Sequence, residues 1–84
     1  MNSEEIINER DMYRTADLAL ASVLFMSFQL EAIDKQNARK AYFIFLRSEP
    51  LDQVVEQYWK GEIKVEPQDY FNAMRQVKAR LYGE

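Results

Sequence analysis

The chain contains no cysteine, no histidine and only two glycines among its 84 residues. The missing thiol and imidazole groups exclude the usual zinc sites, thiolate nucleophiles and histidine general bases. Gly83 stands at the end of the sequence, so Gly61 is its only internal glycine, and a glycine-rich phosphate-binding loop cannot be built. We therefore expect a protein that is not an enzyme and that needs no metal or redox cofactor.

Long apolar runs are also missing. The longest one, residues 18–26, is interrupted by Ser22 and is far shorter than the roughly 20 residues that a bilayer span requires. Residues 1–5 include two Glu and no basic residue, which is unlike a secretory signal. We expect a cytoplasmic protein that does not enter a membrane.

What the chain does have is apolar bulk. Hydrophobic residues make up 48% of it and aromatic residues 13%, a composition that favours a packed core over disorder. The formal net charge of −3 gives no overall attraction to nucleic acid, although a local basic patch is compatible with it. We predict a flexible or partly helical extension over residues 1–11 and a single compact domain over residues 12–84.

The first half of the domain is predicted to form a helix and a hairpin. Thr15 is a suitable N-cap for a helix over residues 16–26. Strand-like residues 28–33 and 39–47 flank a polar break, which predicts a hairpin with its loop centred on Gln36 and Asn37. The second strand is apolar on both faces, so it should be central in the sheet or covered on both sides.

The second half is predicted to form a helix, a short strand and a helix. Ser48 is an N-cap and Gly61 a helix end, which bound the first of these helices. Residues 62–65 alternate charged and apolar side chains as a short edge strand does, and Pro67 begins the last helix. The predicted order is therefore helix, strand, strand, helix, short strand, helix, an α+β fold with helices packed on a short antiparallel sheet. The residues expected in its core are Leu24, Phe43, Phe45, Val55 and Met74.

Four short motifs lie in the sequence from residue 13 onward: Tyr13-x-Thr15-x-Asp17-Leu18, Tyr42-Phe43-x-Phe45, Tyr58-Trp59-x-Gly61, and Pro67 with Tyr70. They resemble a small uncharacterised family found in bacterial, archaeal and viral genomes. The resemblance implies a compact fold and an association with phage or other mobile elements, and it implies no activity.

Two stretches bear a basic and aromatic pattern that suits nucleic acid. Residues 39–46 are similar to the basic-aromatic strand of an RNA-recognition motif, which stacks bases on an exposed sheet face; burial of this strand inside the sheet is the favoured interpretation. On the last helix, Phe71, Arg75, Lys78 and Tyr82 recur every three or four residues beside the core stripe. They could contact phosphates and bases. Alternatively, the rings could border the core while the cationic stems cover it, and this second interpretation is the one we favour.

Two further features have a functional and a structural interpretation. Glu62-x-Lys64 resembles half of a metal-dependent nuclease site, for which Asp34 is the only available acidic partner. An edge strand that alternates charged and apolar residues produces the same pattern, residues 62–65, by chance. A nuclease therefore ranks third among our hypotheses. Trp59 either closes the core, which we favour, or stands exposed as an interface anchor.

The hypothesis favoured by the sequence is a non-enzymatic interaction module that binds another protein or a second copy of itself. The alternative is an accessory nucleic-acid-binding protein. Self-association would use the strand at residues 28–33 if this is an unpaired edge, unless the N-terminal arm covers that edge through Ile6 and Ile7. The candidate interaction residues for both hypotheses are Arg39, Lys40, Trp59, Phe71, Arg75, Lys78 and Tyr82.

Overall fold

The computed structural model describes residues 11–83, in which helices cover one face of a three-stranded antiparallel sheet. This confirms the predicted α+β class. The extension predicted for residues 1–11 lies outside the described residues apart from Asp11, whose carbonyl accepts the backbone N–H of Arg47 at 2.7 Å. In chain order the elements are β1 (Met12–Thr15), α1 (Leu18–Phe25), β2 (Leu30–Asn37), β3 (Lys40–Leu46), α2 (Glu49–Trp59) and α3 (Pro67–Leu81).

The third strand of the sheet is β1 and not the segment predicted from the sequence. β1 pairs antiparallel with β3, with Tyr13 opposite Phe45 and Thr15 opposite Phe43. Residues 62–65 form no strand, so that prediction is wrong. β1 was missed because a strand of four residues is too short to give a clear alternating pattern. Residues 62–65 alternate for a different reason: they form a loop that buries part of Ile63 against the helices.

Strand β3 is central, as predicted, because the strand order is β1–β3–β2. Phe43 and Phe45 are buried on the face that carries the helices, while Tyr42 and Ile44 are half-buried on the opposite face. On that opposite face Arg14 of β1 reaches across the Tyr42 ring, with 4.8 Å from its guanidinium carbon to the ring centroid, and forms a 3.0 Å ion pair with Asp34 of β2.

The hairpin between β2 and β3 is tighter than predicted. Its loop is Ala38-Arg39, not Gln36-Asn37, and Asn37 pairs with Lys40. The side-chain Oδ1 of Asn37 accepts the backbone N–H of Arg39 at 2.8 Å. The polar residues before the turn were predicted to end the strand. They continue it, because backbone pairing with β3 does not depend on an apolar side chain.

The first hairpin strand, β2, lies at an edge of the sheet, which is the condition under which self-association was expected to use it. Its pairing with β3 is irregular in two places, between Leu30 and Ala32 and between Asp34 and Asn37. Such irregularities, together with exposed charges at Glu31 and Lys35, are what natural edge strands use against pairing with other chains. Self-association through this edge stays a prediction.

The helix ends follow the expected capping chemistry with one change. Asp17, not Thr15, is the N-cap of α1, and its side chain accepts the backbone N–H of Leu20. Ser48 caps α2 as predicted, and Gly61 ends it with φ +73°, a left-handed conformation that glycine adopts without strain. Pro67 is the first residue of α3.

Three of the five predicted core residues are confirmed: Leu24, Phe43 and Phe45 are buried. Val55 and Met74 are only half-buried, so the prediction is wrong for them. Leu51 and Val77 occupy the centres of the apolar stripes of α2 and α3 instead, and both are fully buried. Within residues 11–83, no helix combines the length and hydropathy that a membrane crossing needs.

Candidate binding surface

An exposed stripe of two basic side chains flanked by two aromatic ones runs along α3 to its C-cap. Phe71, Arg75, Lys78 and Tyr82 are all exposed, with Phe71 at 58% and Tyr82 at 68% of their full accessible surface. Their spacing of four, three and four residues places them on one side of the helix. The expectation that Phe71 and Tyr82 border the core is therefore wrong, because Ala73 and Val77 turn the opposite side of α3 inward.

The far end of this stripe meets the hairpin. Arg39, Lys40 and Tyr82 line one surface concavity, although the first two lie about forty residues from the third in the sequence. The hairpin turn thus lies beside the C-terminal end of α3. The complete lining consists of Lys35, Asn37, Ala38, Arg39, Lys40, Ala41, Leu81 and Tyr82.

Positive charge is concentrated at this end of the molecule. Residues 35–46 contain three basic residues and no acidic one, and residues 70–83 contain three basic residues and no acidic one. The ion pairs within residues 11–83 involve Arg14, Arg47 and Lys60, so the hairpin and stripe cations are not neutralised by described carboxylates. We call Lys35, Arg39, Lys40, Phe71, Arg75, Lys78 and Tyr82 the basic-aromatic face.

The stripe already contains one internal cation–π contact. The guanidinium carbon of Arg75 lies 5.7 Å from the centroid of the Phe71 ring, within the range in which the ring quadrupole attracts a cation. This contact holds a planar cation beside an exposed ring. The pair presents two flat groups to solvent on adjacent turns of the helix.

Trp59, the remaining candidate, lies elsewhere. It stands at the C-terminal end of α2, 64% exposed, with its ring perpendicular to that of Tyr58 at a centroid distance of 5.0 Å. The expectation that Trp59 closes the core is therefore wrong. It is an exposed aromatic that the structure does not bring into the basic-aromatic face.

A second cluster, which the sequence did not identify as one site, surrounds the N-terminus of α1. One carboxylate oxygen of Asp17 accepts the Leu20 N–H at 3.1 Å, and the other accepts the Tyr58 hydroxyl at 3.1 Å. The backbone N–H of Asp17 donates to the Thr15 hydroxyl at 3.1 Å. We call this cluster, together with the neighbouring Tyr13 and Tyr70, the Asp17 junction.

Tyrosine ionisation reports the environment of this junction. Burial raises the pKa of Tyr58, and its hydrogen bond to Asp17 raises it further. Burial followed by the charge of Asp17 raises the pKa of Tyr70, and burial is also the main cause of the raised pKa of Tyr13. The tyrosines thus surround one carboxylate whose two oxygens both accept hydrogen bonds within the fold, and the bond from Tyr58 joins α2 to the start of α1.

The only signal of the Asp17 junction in the sequence was the set of short motifs. Residues from separate motifs, Tyr13 and Asp17 from the first, Tyr58 from the third and Tyr70 from the last, come together there. The spacing of these residues along the chain gives no indication of contact. The part of Lys35 in the basic-aromatic face was also missed, because the residue was assigned to a loop.

The structure contradicts the basis of two sites that the sequence suggested, the base-stacking strand and the nuclease site. Phe43 and Phe45 point into the core and cannot stack bases, and Glu62 and Lys64 lie in a loop and not on a strand. Asp34, the required acidic partner, is bound to Arg14; the backbone N–H of Gln36 and then Arg14 lower its pKa. Among the residues that the structure describes, no three His, Cys, Asp or Glu side chains are grouped to hold a metal ion.

Comparison with known proteins gives a family and nothing further. The model of the family DUF5659, described as a domain of unknown function, matches residues 10–83. No curated protein and no solved structure matches the chain.

Proposed function

Since the chain belongs to the DUF5659 family, whose description names no activity, we propose a function from the geometry: a non-enzymatic interaction module that binds an anionic partner on its basic-aromatic face. The observation that supports it is the grouping of Arg39 and Lys40 with Tyr82 at the end of the α3 stripe. The hairpin cations and the C-terminal end of α3 are far apart in sequence but line one concavity, which gives a charged partner a positive surface to approach.

Exposed aromatic side chains add to this argument. Phe71 and Tyr82 contribute little to the core, and exposed large rings beside basic residues are typical anchors of binding surfaces. The net charge of −3 does not oppose the proposal, because charges further than about 8 Å apart are screened at physiological salt. The partner therefore experiences the local cations more than the distant carboxylates.

Two classes of partner satisfy this chemistry: an acidic segment of another protein, which the sequence favours, and nucleic acid. The resemblance of the sequence motifs to domains of viral and mobile genomes supports a role connected with such elements. The cytoplasm, where both partner classes are accessible, is the location that goes with this proposal.

The test is affinity capture from the source cells with matched charge variants. Arg75→Glu/Lys78→Glu reverses two charges on the face, and Lys60→Glu/Lys64→Glu makes the same change of net charge away from it. We expect the wild type and the control variant to retain a common partner that the face variant loses. Equal retention by all three proteins would show that binding does not use this face. Repeating the capture after nuclease digestion separates a protein partner from nucleic acid.

A further inference from the structure

The basic-aromatic face combines two kinds of group that bind different parts of one polymer. Its cations can contact phosphates, and its exposed rings and the Arg75 guanidinium offer planes on which bases can stack. Building on the proposed function, we infer that the anionic partner is single-stranded nucleic acid. The face follows the phosphate backbone with Lys35, Arg39, Lys40, Arg75 and Lys78 and stacks unpaired bases on Phe71 and Tyr82.

The positions of the two rings favour a polymer over a compact anion. Phe71 lies in α3 and Tyr82 is the residue that caps its C-terminal end, eleven residues further along, which corresponds to about 16 Å along the helix axis. Arg75 and Lys78 lie between them on the same side. Stacking positions at both ends of a cationic stretch suit an extended strand of a few nucleotides.

The hairpin extends the cationic stretch beyond the helix. Lys78 lies in the last turn of α3, where a cation also stabilises the helix dipole. The position of Lys78 alone therefore does not indicate a ligand. Arg39 and Lys40, however, belong to the hairpin and have no such role, yet they lie in the concavity that Tyr82 lines. The hairpin cations thus meet the aromatic end of the α3 stripe, and this meeting points to a ligand.

Unpaired strands fit this face better than a duplex or an acidic peptide does. In a duplex the bases are stacked on one another, so Phe71 and Tyr82 would have no bases to contact. A carboxylate-rich peptide could pair with the cations but offers no flat groups to the rings. Of these three ligands, only the unpaired strand offers a flat group to each of the two exposed rings.

The test is a fluorescence-anisotropy titration of the full chain with labelled oligonucleotides of about 15 nucleotides. The probes are oligo-dT, oligo-U, a duplex of equal length and a poly-glutamate peptide, each titrated at several salt concentrations. We expect oligo-dT and oligo-U to bind at least about tenfold more tightly than the duplex and poly-glutamate, because only they can stack on the rings. The affinity should fall with salt by about 0.7 log units per tenfold increase for each phosphate contact.

Two variants separate the phosphate contacts from the stacking. Arg75→Glu/Lys78→Glu should lower the affinity for oligo-dT more than about tenfold and reduce the salt dependence. Phe71→Ala/Tyr82→Ala should lower it about tenfold or more while the salt dependence is kept. The control Lys60→Glu/Lys64→Glu breaks the Lys60–Glu56 ion pair but removes no residue of the face, so its affinity for oligo-dT should stay within about twofold of the wild type. Circular dichroism melting verifies that each variant is folded.

The outcomes distinguish this inference from the proposed function. If poly-glutamate binds as tightly as oligo-dT and Arg75→Glu/Lys78→Glu loses both, the face binds anions but the nucleic-acid inference is overturned. Unchanged binding of oligo-dT by folded Phe71→Ala/Tyr82→Ala would overturn it as well, as would preference for the duplex. If the wild type binds no anionic probe at about 50 mM salt, where phosphate contacts are strongest, the proposed function fails together with the inference.

Discussion

The two ends of α3 use the same residue types in opposite ways. At its N-terminal end, Tyr70 belongs to the Asp17 junction, where a carboxylate and several tyrosines satisfy one another. At its C-terminal end, Tyr82 stands exposed beside cations that no described carboxylate pairs. Aromatic and charged residues therefore do not by themselves indicate a binding site. What separates a structural cluster from a binding surface is whether the polar groups find their partners within the fold.

The largest difference between a buried and an exposed residue is expected for a pair of phenylalanines. Phe45→Ala removes a fully buried ring from the central strand and should lower the free energy of unfolding by about 3–5 kcal/mol. Phe71→Ala removes an exposed ring and should change it by less than about 0.5 kcal/mol. Urea denaturation of both variants measures the contrast. Similar values for the two would show that the facing of β3 or of α3 is misassigned.

A smaller effect is expected at the Asp17 junction. Asp17→Ala removes the N-cap of α1 and the acceptor of the Tyr58 hydroxyl, so it should destabilise the fold by about 1–3 kcal/mol. Asp17→Asn keeps a capping oxygen and should destabilise the fold less than Asp17→Ala does. Asp69→Ala, an exposed carboxylate in the first turn of α3, is the matched control and should lose under about 0.5 kcal/mol. Thermal and urea unfolding provide the values, and equal losses for the two alanine variants would refute a special role of the junction.

Alkaline pH should weaken the junction. The pKa values of Tyr13, Tyr58 and Tyr70 are raised in the folded protein, so folding favours the protonated phenols. Their contribution to stability is fully present below the ordinary tyrosine pKa of about 10 and is lost as pH rises through the higher folded values. Urea unfolding between about pH 8 and 11.5 should show a falling free energy above pH 10, and Tyr58→Phe should make that fall shallower. An identical slope in Tyr58→Phe would argue against this linkage.

Removing metal ions is not expected to change the stability of either end of the molecule. The chain has no Cys or His, and soft or imidazole ligands are what structural metal sites usually need. A chelator should leave the melting temperature unchanged in differential scanning fluorimetry. A decrease of several degrees would mean that carboxylates hold a structural ion.

Much of the fold was predictable because local chemistry determined it. Ser48, Gly61 and Pro67 mark helix ends through capping and through their restricted or permissive backbones, and the structure confirms them. The apolar run around Phe43 and Phe45 identified the central strand, because the middle strand of a sheet is its most buried one.

What escaped prediction depends on contacts between distant residues. β1 is a strand only because β3 offers it a pairing edge, and nothing in its four residues shows this. Trp59 looked like a core residue by composition, but the position of α2 leaves it exposed. Six of the seven residues of the basic-aromatic face were candidates from the sequence, Lys35 being the exception, while the meeting of Arg39 with Tyr82 required the packed structure.

The position of β1 also has a consequence for how the chain folds. The hairpin joins Asn37 to Lys40 through a turn, whereas Thr15 reaches Phe43 only after α1 and β2 have been placed. Loop closure over such a separation is slower than hairpin closure, so we expect β1 to dock late. Until then the most aromatic strand of the chain has an open edge, and pairing there with other chains would compete with folding. Aggregation during refolding should therefore rise with protein concentration in a variant that weakens β1 docking, such as Tyr13→Ala, more than in the wild type.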